Sequence, residues 1–425
     1  MTVWSAADVD ATRSTGTLLV GPRDVVTPLA RERARELGVK IVVGSPTGPS
    51  TRDTPPPSAP PPVPPPAGPA GTPPAPHAPG VAGAGGAPAP LRPPSGALFR
   101  RGAPLPAVVR PGAVPGGTGR VVVVGAGHVG MITALRLADA DVFGEIVLVD
   151  IDEGRAAGIA LDLTHTAALG GFGTRVRGTA TVADAGPADY VVITAGRPRQ
   201  PGMSRSDLVG TNAAIVGDVA REVARTSPAA VLVVVTNPLD EMTQHAWRES
   251  GFPPERVLGM AGVLDTARFQ ALAALTGVDR ADRIGAVALG SHGEEMVIPL
   301  SQASTPRGPL ADQVPDLDAV VDRARGSGAE VVGLLRSGSA FLAPGTSAAR
   351  MVLAMVHDTG EVMPAAVLAD GTYGIRDVYV GLPVRLGRRG VQEIVELSLE
   401  QDELAALRQA ADRIRDRLGE LAAVS

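Results

Sequence analysis

The run RVVVVGAGHVGMITALRLA, at residues 120–138, constrains the fold of this chain more than any other feature. Its four valines predict a buried strand, and the apolar spacing after Gly130 predicts a helix, so the glycines fall in a strand-to-helix turn. In such a turn Gly125 allows the tight reversal, Gly127 lets the backbone approach a pyrophosphate, and Gly130 lets the helix pack closely on the strand. The run therefore predicts a dinucleotide site at the edge of a parallel sheet.

The next predicted strand, EIVLVD, carries the second half of this signal. Its last residue, Asp150, follows Gly130 by 20 residues, which is the spacing of an acid that accepts hydrogen bonds from an adenosine ribose. The same carboxylate would repel a 2′-phosphate, so NAD is favoured over NADP as the cofactor. The first N–H groups of the helix, at His128 and Val129, would bind the pyrophosphate. The alternative is a set of ordinary turn glycines followed by a strand-end acid.

Composition divides the chain into three segments. Residues 1–44 predict a small unit with helices in SAADVDATR and TPLARERARELG and strands in TLLVG and VKIVV. Residues 45–118 hold more than half of the chain's 40 prolines, which predicts a disordered or polyproline spacer, with a proline-rich ligand as the alternative. Residues 119–425 alternate strand-like and helix-like segments, which predicts an α/β fold with a parallel sheet.

The overall balance of residues excludes several classes of function. The chain has no cysteine, so disulfides, thiolate catalysis and cysteine metal sites are excluded, and no metal site is predicted. The net charge of −5 gives no sign of a nucleic-acid partner. The acidic start MTVWSAADVD does not look like a signal peptide, and no apolar run suits a membrane helix. We therefore expect a cytoplasmic protein with no membrane partner.

Three further motifs carry chemistry. VLVVVTNPLD is a buried strand ending at Asn237, GVLDTARFQ places Asp265 and Arg268 on one face of a helix start, and LGSHGEEMVIPL places His292 in a turn. Taken singly, His292 suits a solvated loop histidine, Asp265 a helix cap and Arg268 a surface charge. Together they match the needs of hydride transfer from an alcohol: a base for the hydroxyl proton, a carboxylate to orient it, and a guanidinium for the substrate carboxylate.

The loop AGRPRQPGMSR, after the buried strand DYVVIT, concentrates positive charge. It contains Arg197, Arg199 and Arg205, and no acidic residue lies between them. Glycine and proline residues interrupt its backbone, so it suits a loop that closes over an anionic substrate and excludes water.

In their order, GAGHVG, VLVD, AGRPRQPGMSR, VTNP, LDTARF and GSHGEE resemble the lactate/malate dehydrogenases, and most of all the lactate-dehydrogenase-like NAD-dependent malate dehydrogenases. The resemblance covers about residues 119–423. It implies a doubly wound Rossmann parallel sheet over residues 119–263 and a mixed α/β substrate domain over residues 264–425. It also implies a homo-oligomer, either a dimer or a tetramer.

The resemblance assigns a role to each residue of the site. It implies that His292 is the general acid/base, that Asp265 orients it, and that Arg268 binds the C1 carboxylate of the substrate. Arg205 would polarise the reacting carbonyl oxygen, and Arg199 would bind a second carboxylate.

Further contacts are implied at the end of the strand VLVVV. Asn237 would hydrogen-bond the substrate oxygen, and the Asn237–Pro238 peptide bond would be cis. NAD would contact Asn212, Val235, Thr236 and Asn237. Two residues depart from the family pattern: Arg197, which we expect to face solvent, and Gln200.

The function implied is the reversible oxidation of malate, a small dicarboxylate, to oxaloacetate with NAD. The alternatives are a dehydrogenase for another 2-hydroxy acid such as lactate, and a non-catalytic relative tethered to a scaffold. Residues 1–44 weakly resemble short N-terminal segments of enzymes associated with bacterial microcompartments, in which TP-x-A-R precedes a helix ending in LG. A scaffold or microcompartment partner is therefore a hypothesis for this unit, and an oligomerisation arm is the alternative.

Overall fold

The structure of the protein is a computed structural model. It describes residues 3–4, 6–12, 15–21, 24–26, 28–43, 117–197, 205–293, 295–336 and 338–424. These residues belong to two compact units, one within residues 1–86 and one within residues 87–425. The predicted spacer, residues 45–118, lies outside the described residues except for its last two. Within the described ranges, no helix combines the length and the apolar character that a membrane crossing requires.

The described residues of the N-terminal unit form two helices and four short strands. They are β1 (Val3–Trp4), α1 (Ala6–Ala11), β2 (Thr17–Val20), β3 (Val25–Val26), α2 (Pro28–Leu37) and β4 (Lys40–Val43). The parallel pairs β1–β3 and β2–β4 form two small sheets. Both predicted helices and both predicted strands are confirmed. The sequence analysis missed β1 and β3, because two residues are too few to show a periodicity.

A small apolar core holds this unit together. It contains Val9 of α1, Leu18 and Val20 of β2, Ala30 and Ala34 of α2, and Val39. Alternation along β2 buries Leu18 and Val20 and leaves Leu19 65% exposed, as expected for a strand with one covered face. Helix α2 begins at Pro28, and Gly38 follows its end with a φ of 69°, a conformation that favours glycine after a helix.

Six parallel strands form the first half of the large unit. They are β5 (Arg120–Val124), β6 (Glu145–Val149), β7 (Arg175–Thr179), β8 (Tyr190–Ile193), β9 (Val231–Val234) and β10 (Val257–Gly259). Their order in the sheet is β7-β6-β5-β8-β9-β10, which is the doubly wound order with its reversal between β5 and β8. The predicted Rossmann sheet is confirmed.

Helices cover both faces of this sheet. They are α3 (His128–Ala140), α4 (Glu153–His165), α5 (Ala167–Gly170), α6 (Val182–Ala185), α7 (Arg205–Thr226) and α8 (Leu239–Ser250). Successive side chains of a strand point to opposite faces. Val121 and Val123 accordingly share a core with α3 and α4, whereas Val122 and Val124 share a core with α7 and α8. Burial on both faces explains why four consecutive residues of β5 are valine.

The second half of the unit adds short and antiparallel strands and four helices. The strands are β11 (Leu289–Gly290), β12 (Met296–Val297), β13 (Ser304–Thr305), β14 (Gly308–Pro309), β15 (Val362–Asp370), β16 (Arg376–Gly387) and β17 (Gly390–Ile394). The helices are α9 (Gly262–Ala274), α10 (Leu317–Leu335), α11 (Leu342–Val356) and α12 (Gln401–Val424). The mixed α/β character expected for this half is confirmed.

The sheet does not stop at the boundary placed between residues 263 and 264. Strand β15 pairs antiparallel with β10, and β16, β11 and β12 extend the same sheet, which has eleven strands in all. The boundary falls within the first turn of α9. This continuity could not be seen in the sequence, because the pairing of β10 with β15 joins residues more than 100 positions apart.

Candidate active site

The glycine turn between β5 and α3 has the backbone geometry of a phosphate cradle. Gly125 has a φ of 103°, and a Cβ on Gly130 would lie 1.9 Å from the carbonyl oxygen of Gly125. A Cβ at Gly127 would meet no heavy atom of the described residues within 4 Å, so this position faces open space. No side chain in the described ranges caps α3 at Gly127. The N–H groups of its first turn are therefore available to an anion.

Asp150 holds this turn from the end of β6. One of its carboxylate oxygens accepts a hydrogen bond from the N–H of Ala126 at 2.9 Å, and the other accepts one from the N–H of Asp152 at 3.0 Å. The carboxylate is half-buried and retains lone pairs for a ribose hydroxyl. His128 is exposed and Val129 half-buried beside it. These residues fit the NAD predicted from the sequence.

Asn212 ties α7 to two loops at the same edge of the sheet. Its Oδ1 accepts from the Arg197 N–H at 2.8 Å, and its Nδ2 donates to the carbonyl oxygens of Arg197 (3.2 Å) and Asn237 (2.7 Å). Asn212 is buried, and these bonds use both of its N–H donors. It therefore fixes the start of the arginine-rich loop as well as Asn237, whose peptide bond to Pro238 is cis as expected.

The neighbouring residues of this edge are also held by the backbone. The Thr236 hydroxyl donates to the carbonyl oxygen of Ala195 at 2.7 Å, and the N–H of Val235 donates to Ile193 at 2.9 Å. The structure brings Val235, Thr236 and Asn237 to the ends of the central strands, next to the glycine turn. Arg197 is exposed, which confirms its expected position.

His292, Asp265 and Arg268 lie in one connected group. The Nδ1 atom of His292 is 2.8 Å from Oδ2 of Asp265, and Nη1 of Arg268 donates to Oδ1 of Asp265 at 3.2 Å. Asp265 is 2% exposed, so its charge is taken out of water and compensated by these two side chains. The Nδ1 atom faces Asp265, which leaves Nε2 as the ring nitrogen able to exchange a proton with a ligand.

The buried carboxylates shift the titration of this histidine. Burial alone would lower the pKa of His292, but the charge and hydrogen bond of Asp265 and the charge of Asp240 raise it above the ordinary histidine value. The positive charge of Arg268 opposes this rise. A histidine whose pKa is raised above its ordinary value holds a proton more readily near neutral pH, as a general acid/base must.

A second buried carboxylate near His292, that of Asp240, was not predicted from the sequence. Its Oδ2 accepts from the Ser291 hydroxyl at 2.8 Å and from the His292 N–H at 3.1 Å, while Oδ1 has no hydrogen-bond partner among the described residues. Burial and the charge of Glu241 raise the pKa of Asp240 to about 7. In sequence it looks like any acid in the first turn of a helix, so only its burial reveals it.

A cavity of about 370 Å³ opens beside these groups. Its walls come from both halves of the sheet and include Asn237, Pro238, Asp240, Ser291 and His292. Three residues expected to bind the substrate, Arg268, Arg199 and Arg205, are not among its described lining residues. Arg199 lies outside the described residues, and Arg205 is the first residue of α7, with a side chain that the structure does not describe. Their roles stay predictions.

Comparisons with known proteins identify relatives over the large unit. Residues 119–259 match the family model of the lactate/malate dehydrogenase NAD binding domain, and residues 262–424 match the alpha/beta C-terminal domain of the same family. A malate dehydrogenase of Methanosarcina mazei is 43% identical over 305 residues, covering 71% of this chain and 99% of that protein.

Solved structures agree with these matches. The malate dehydrogenase of Salinibacter ruber superposes with a TM-score of 0.69 at 38% identity, over 72% of this chain and 98% of that one. A malate dehydrogenase of Archaeoglobus fulgidus, solved in complex with NADH, gives a TM-score of 0.66 at 37% identity, over 71% and 99% of the two chains.

The glycine turn yields a first prediction. Gly130→Ala forces a Cβ against the carbonyl of Gly125, and the turn must open to accommodate it. Overpacking of about 1–3 kcal/mol should weaken NADH binding roughly tenfold, measured by fluorescence titration, and lower the melting temperature. Gly158→Ala on α4 is the matched control, because its Cβ would meet no described heavy atom within 4 Å. Equal NADH affinity in the two variants would contradict this account.

The second prediction concerns the charge beside His292. Asp265→Asn removes the negative charge and leaves burial and Arg268, so the pKa of His292 should fall by about one unit or more. NMR titration of the imidazole signals measures this fall. His245, whose pKa burial lowers, serves as an internal control that should not move. An unshifted His292 would show that Asp265 does not set its titration.

Proposed function

We propose, from the premise that this chain belongs to the lactate/malate dehydrogenase family, that it catalyses the reversible oxidation of malate to oxaloacetate with NAD. The observation that carries this proposal is the pairing of His292 with the buried Asp265 at one wall of the cavity. The glycine turn and Asp150, at the same edge of the sheet, supply the cofactor site. NAD held by the glycine turn and Asp150 would supply the hydride acceptor for malate oxidation and, as NADH, the hydride donor for the reverse reaction.

His292 moves the proton in this scheme. In malate oxidation its neutral Nε2 takes the hydroxyl proton as the C–H bond gives its hydride to the cofactor, and oxaloacetate, NADH and one proton result. In the reverse direction the protonated ring supplies that proton to the carbonyl oxygen. Asp265 stabilises the charged ring and holds Nδ1, so that Nε2 points to the substrate.

Three further side chains would bind and polarise the substrate. Within the described residues, Asp265 is the hydrogen-bond partner of Arg268, which leaves Nη2 and Nε of Arg268 to receive the C1 carboxylate. Asn237, which is exposed and lies three residues beyond the end of β9, would hydrogen-bond the substrate oxygen. Arg205 would stabilise the negative charge that develops on this oxygen.

Arg199 would select a dicarboxylate over a monocarboxylate. Closing a cation over a substrate that lacks the second carboxylate would leave it without a counter-charge, at a cost of about 3–5 kcal/mol. This cost argues against lactate as the main substrate. A dehydrogenase for another 2-hydroxy acid is the alternative activity, and side-by-side assays with oxaloacetate, pyruvate and 2-ketoglutarate separate the two.

Replacement of the proton carrier tests the mechanism. His292→Ala should lower kcat by about 100- to 10,000-fold, because general acid/base catalysis is lost, while NADH affinity stays nearly unchanged. Steady-state kinetics and NADH titration measure the two quantities. His165→Ala, at the exposed end of α4, is the control and should behave as the parent. Near-normal turnover of His292→Ala would remove this mechanism.

Replacement of Arg199 tests the choice of substrate. Arg199→Gln keeps hydrogen-bonding capacity and removes the charge, so kcat/KM for oxaloacetate should fall about 100-fold, and pyruvate should improve relative to it. The neighbouring Arg197→Gln is the matched control. Because Arg197 is exposed, its replacement should change kcat/KM for either substrate less than about threefold. If the ratio of the two substrates does not move, Arg199 does not set specificity.

We also propose a homo-oligomer formed by the large unit. Leu161 of α4 and Leu169 of α5 are 58% and 61% exposed. Leu169 borders a surface cavity of about 810 Å³ between α3 and α11. An apolar side chain at such an edge is stabilised when a second copy covers it. A dimer or a tetramer satisfies this requirement.

Residues 1–44 are proposed to tether the enzyme to a scaffold or a microcompartment protein. The family models begin at residue 119, so the unit lies outside the matched part of the chain. Its β2–β4 sheet pairs Leu19 with Val42, and both side chains are exposed. An apolar pair on a small sheet offers a surface for a partner protein. The proline-rich composition of residues 45–118 would let the enzyme sit away from it, at up to about 3.1 Å per residue.

Truncation tests the tether and the oligomer together. Deleting residues 1–118 should leave kcat and KM within about threefold of full length, because the proposed catalytic groups lie after residue 119. Light scattering should give the same oligomer for both forms, and only full length should co-sediment with the scaffold protein. Loss of activity or of the oligomer would identify the segment as a structural arm. The tether would be refuted if a fluorescent protein fused to residues 1–44 stayed diffuse in the native host while the full-length enzyme formed foci.

A further inference from the structure

One arginine of the C-terminal helix reaches the site from outside every motif of the sequence. Arg417 of α12 is 16% exposed, and its guanidinium binds three groups at once. Nε pairs with the carboxylate of Glu241, Nη1 donates to Glu295 at 2.7 Å, and Nη2 donates to the Ser291 hydroxyl at 2.8 Å. All three partners and Arg417 itself line the cavity beside His292.

The three partners surround the turn that carries His292. Ser291 precedes the histidine, and Glu295 follows it by three positions. The Ser291 hydroxyl accepts from Arg417 and donates to Asp240, and Asp240 in turn accepts from the His292 N–H. Arg417 is thus joined to the backbone of His292 through two hydrogen-bonding side chains.

Electrostatic interactions also link Arg417 to His292. Glu241 is 3% exposed and adjoins Asp240 in sequence, and its charge raises the pKa of Asp240. Arg417 compensates Glu241 directly. Without Arg417 the charge of Glu241 would lose its compensation, so the pKa of Asp240, already raised to about 7, would rise further and Asp240 would stay protonated to higher pH. His292 would then lose one of the two negative charges that raise its pKa.

We propose that Arg417 is a positioning residue for His292: it clamps the Ser291–His292 turn and neutralises the buried Glu241 beside Asp240. This inference rests on the proposed function of His292 as the proton carrier. Arg417 does not touch the reacting atoms, and it acts through Ser291 and Asp240. The C-terminal helix thereby becomes part of the catalytic machinery.

Several charged groups face His292 and enter any titration of it. Within the described residues they are Asp240 and Glu241 on α8, Asp265 and Arg268 on α9, Glu295 after its own turn, and Arg417 on α12. From α7 the cavity receives the apolar Leu208 and Val209. Within the described residues, a variant of Arg417 loses contacts with Glu241, Glu295 and Ser291, whereas a variant of Arg413 loses a contact with Glu295.

The test compares Arg417→Met, the double variant Glu241→Gln/Arg417→Met, and Arg413→Met. Arg413 is the matched control, because it lies one turn earlier on α12 and pairs with Glu295 at 3.0 Å, and its bonds reach neither Glu241 nor Ser291. The readout is the pH profile of kcat/KM for oxaloacetate reduction. This reaction needs the protonated histidine, so its rate falls as pH rises through the pKa of His292.

The fall of this profile at high pH is its alkaline limb. We expect Arg417→Met to shift the alkaline limb to a pH about one unit lower and to lower kcat about tenfold, with NADH affinity unchanged. The double variant should return the limb to within about 0.3 units of the parent, since no uncompensated carboxylate remains beside Asp240. Arg413→Met should leave the limb in place. The inference is overturned if the limb stays fixed in Arg417→Met, or if the double variant fails to restore it.

Two further measurements keep the test decisive. If Arg417→Met does not fold, Arg417→Lys replaces it, because lysine keeps the positive charge but cannot bind three partners at once. We then expect the alkaline limb to stay in place and kcat to fall. A kcat equal to the parent's would overturn the proposed clamp. If the parent does not reduce oxaloacetate, the proposed function fails. NMR titration of His292 in Arg417→Met still tests the link: a pKa lower than the parent's supports it, and an unchanged pKa refutes it.

Discussion

Burial of a parallel sheet on both faces is the constraint on which this molecule depends. The central strands are apolar except where Arg120 and Glu145 begin β5 and β6, so their polar side chains lie only where the strands begin or end. In a doubly wound sheet these carboxyl ends meet at one edge, beside the reversal of strand order between β5 and β8. The glycine turn, Asp150 and Asn237 therefore converge although about 110 residues separate the first from the last.

The chemistry at that edge depends on buried charge that is nearly balanced. Asp265 and Asp240 act on His292 from two sides, one through the ring and one through the backbone N–H. The positive charge of Arg268 compensates Asp265, and that of Arg417 compensates Glu241, which adjoins Asp240. Each of these acids would be destabilising in isolation, because an ion removed from water needs a partner. Together the two carboxylates raise the pKa of the histidine.

The residues that could be predicted share a local signature. Gly125 and Gly130 are readable because a tight strand-to-helix turn excludes a Cβ, and Asp150 because it follows a strand at a fixed spacing. In the sequence, His292 and Asp265 suit the base and the carboxylate that hydride transfer needs, but only the resemblance assigns them to each other, since 27 residues separate them and nothing local shows that they touch. Asp240 and Arg417 have no such signature. Each looks like an ordinary helix residue, and its importance comes from burial and from partners distant in sequence.

The sequence by itself determined the alternation of strands and helices and the glycine turn with its acidic partner, and its composition separates the proline-rich residues 45–118 from the segments on either side. These follow from short-range rules of periodicity, backbone conformation and composition. The tertiary structure alone decided that the sheet continues through β15, and that Asp240, Ser291 and Arg417 meet around His292. Such contacts arise when packing brings distant segments together, and the energy of a buried charge depends on those neighbours rather than on the residue that carries it.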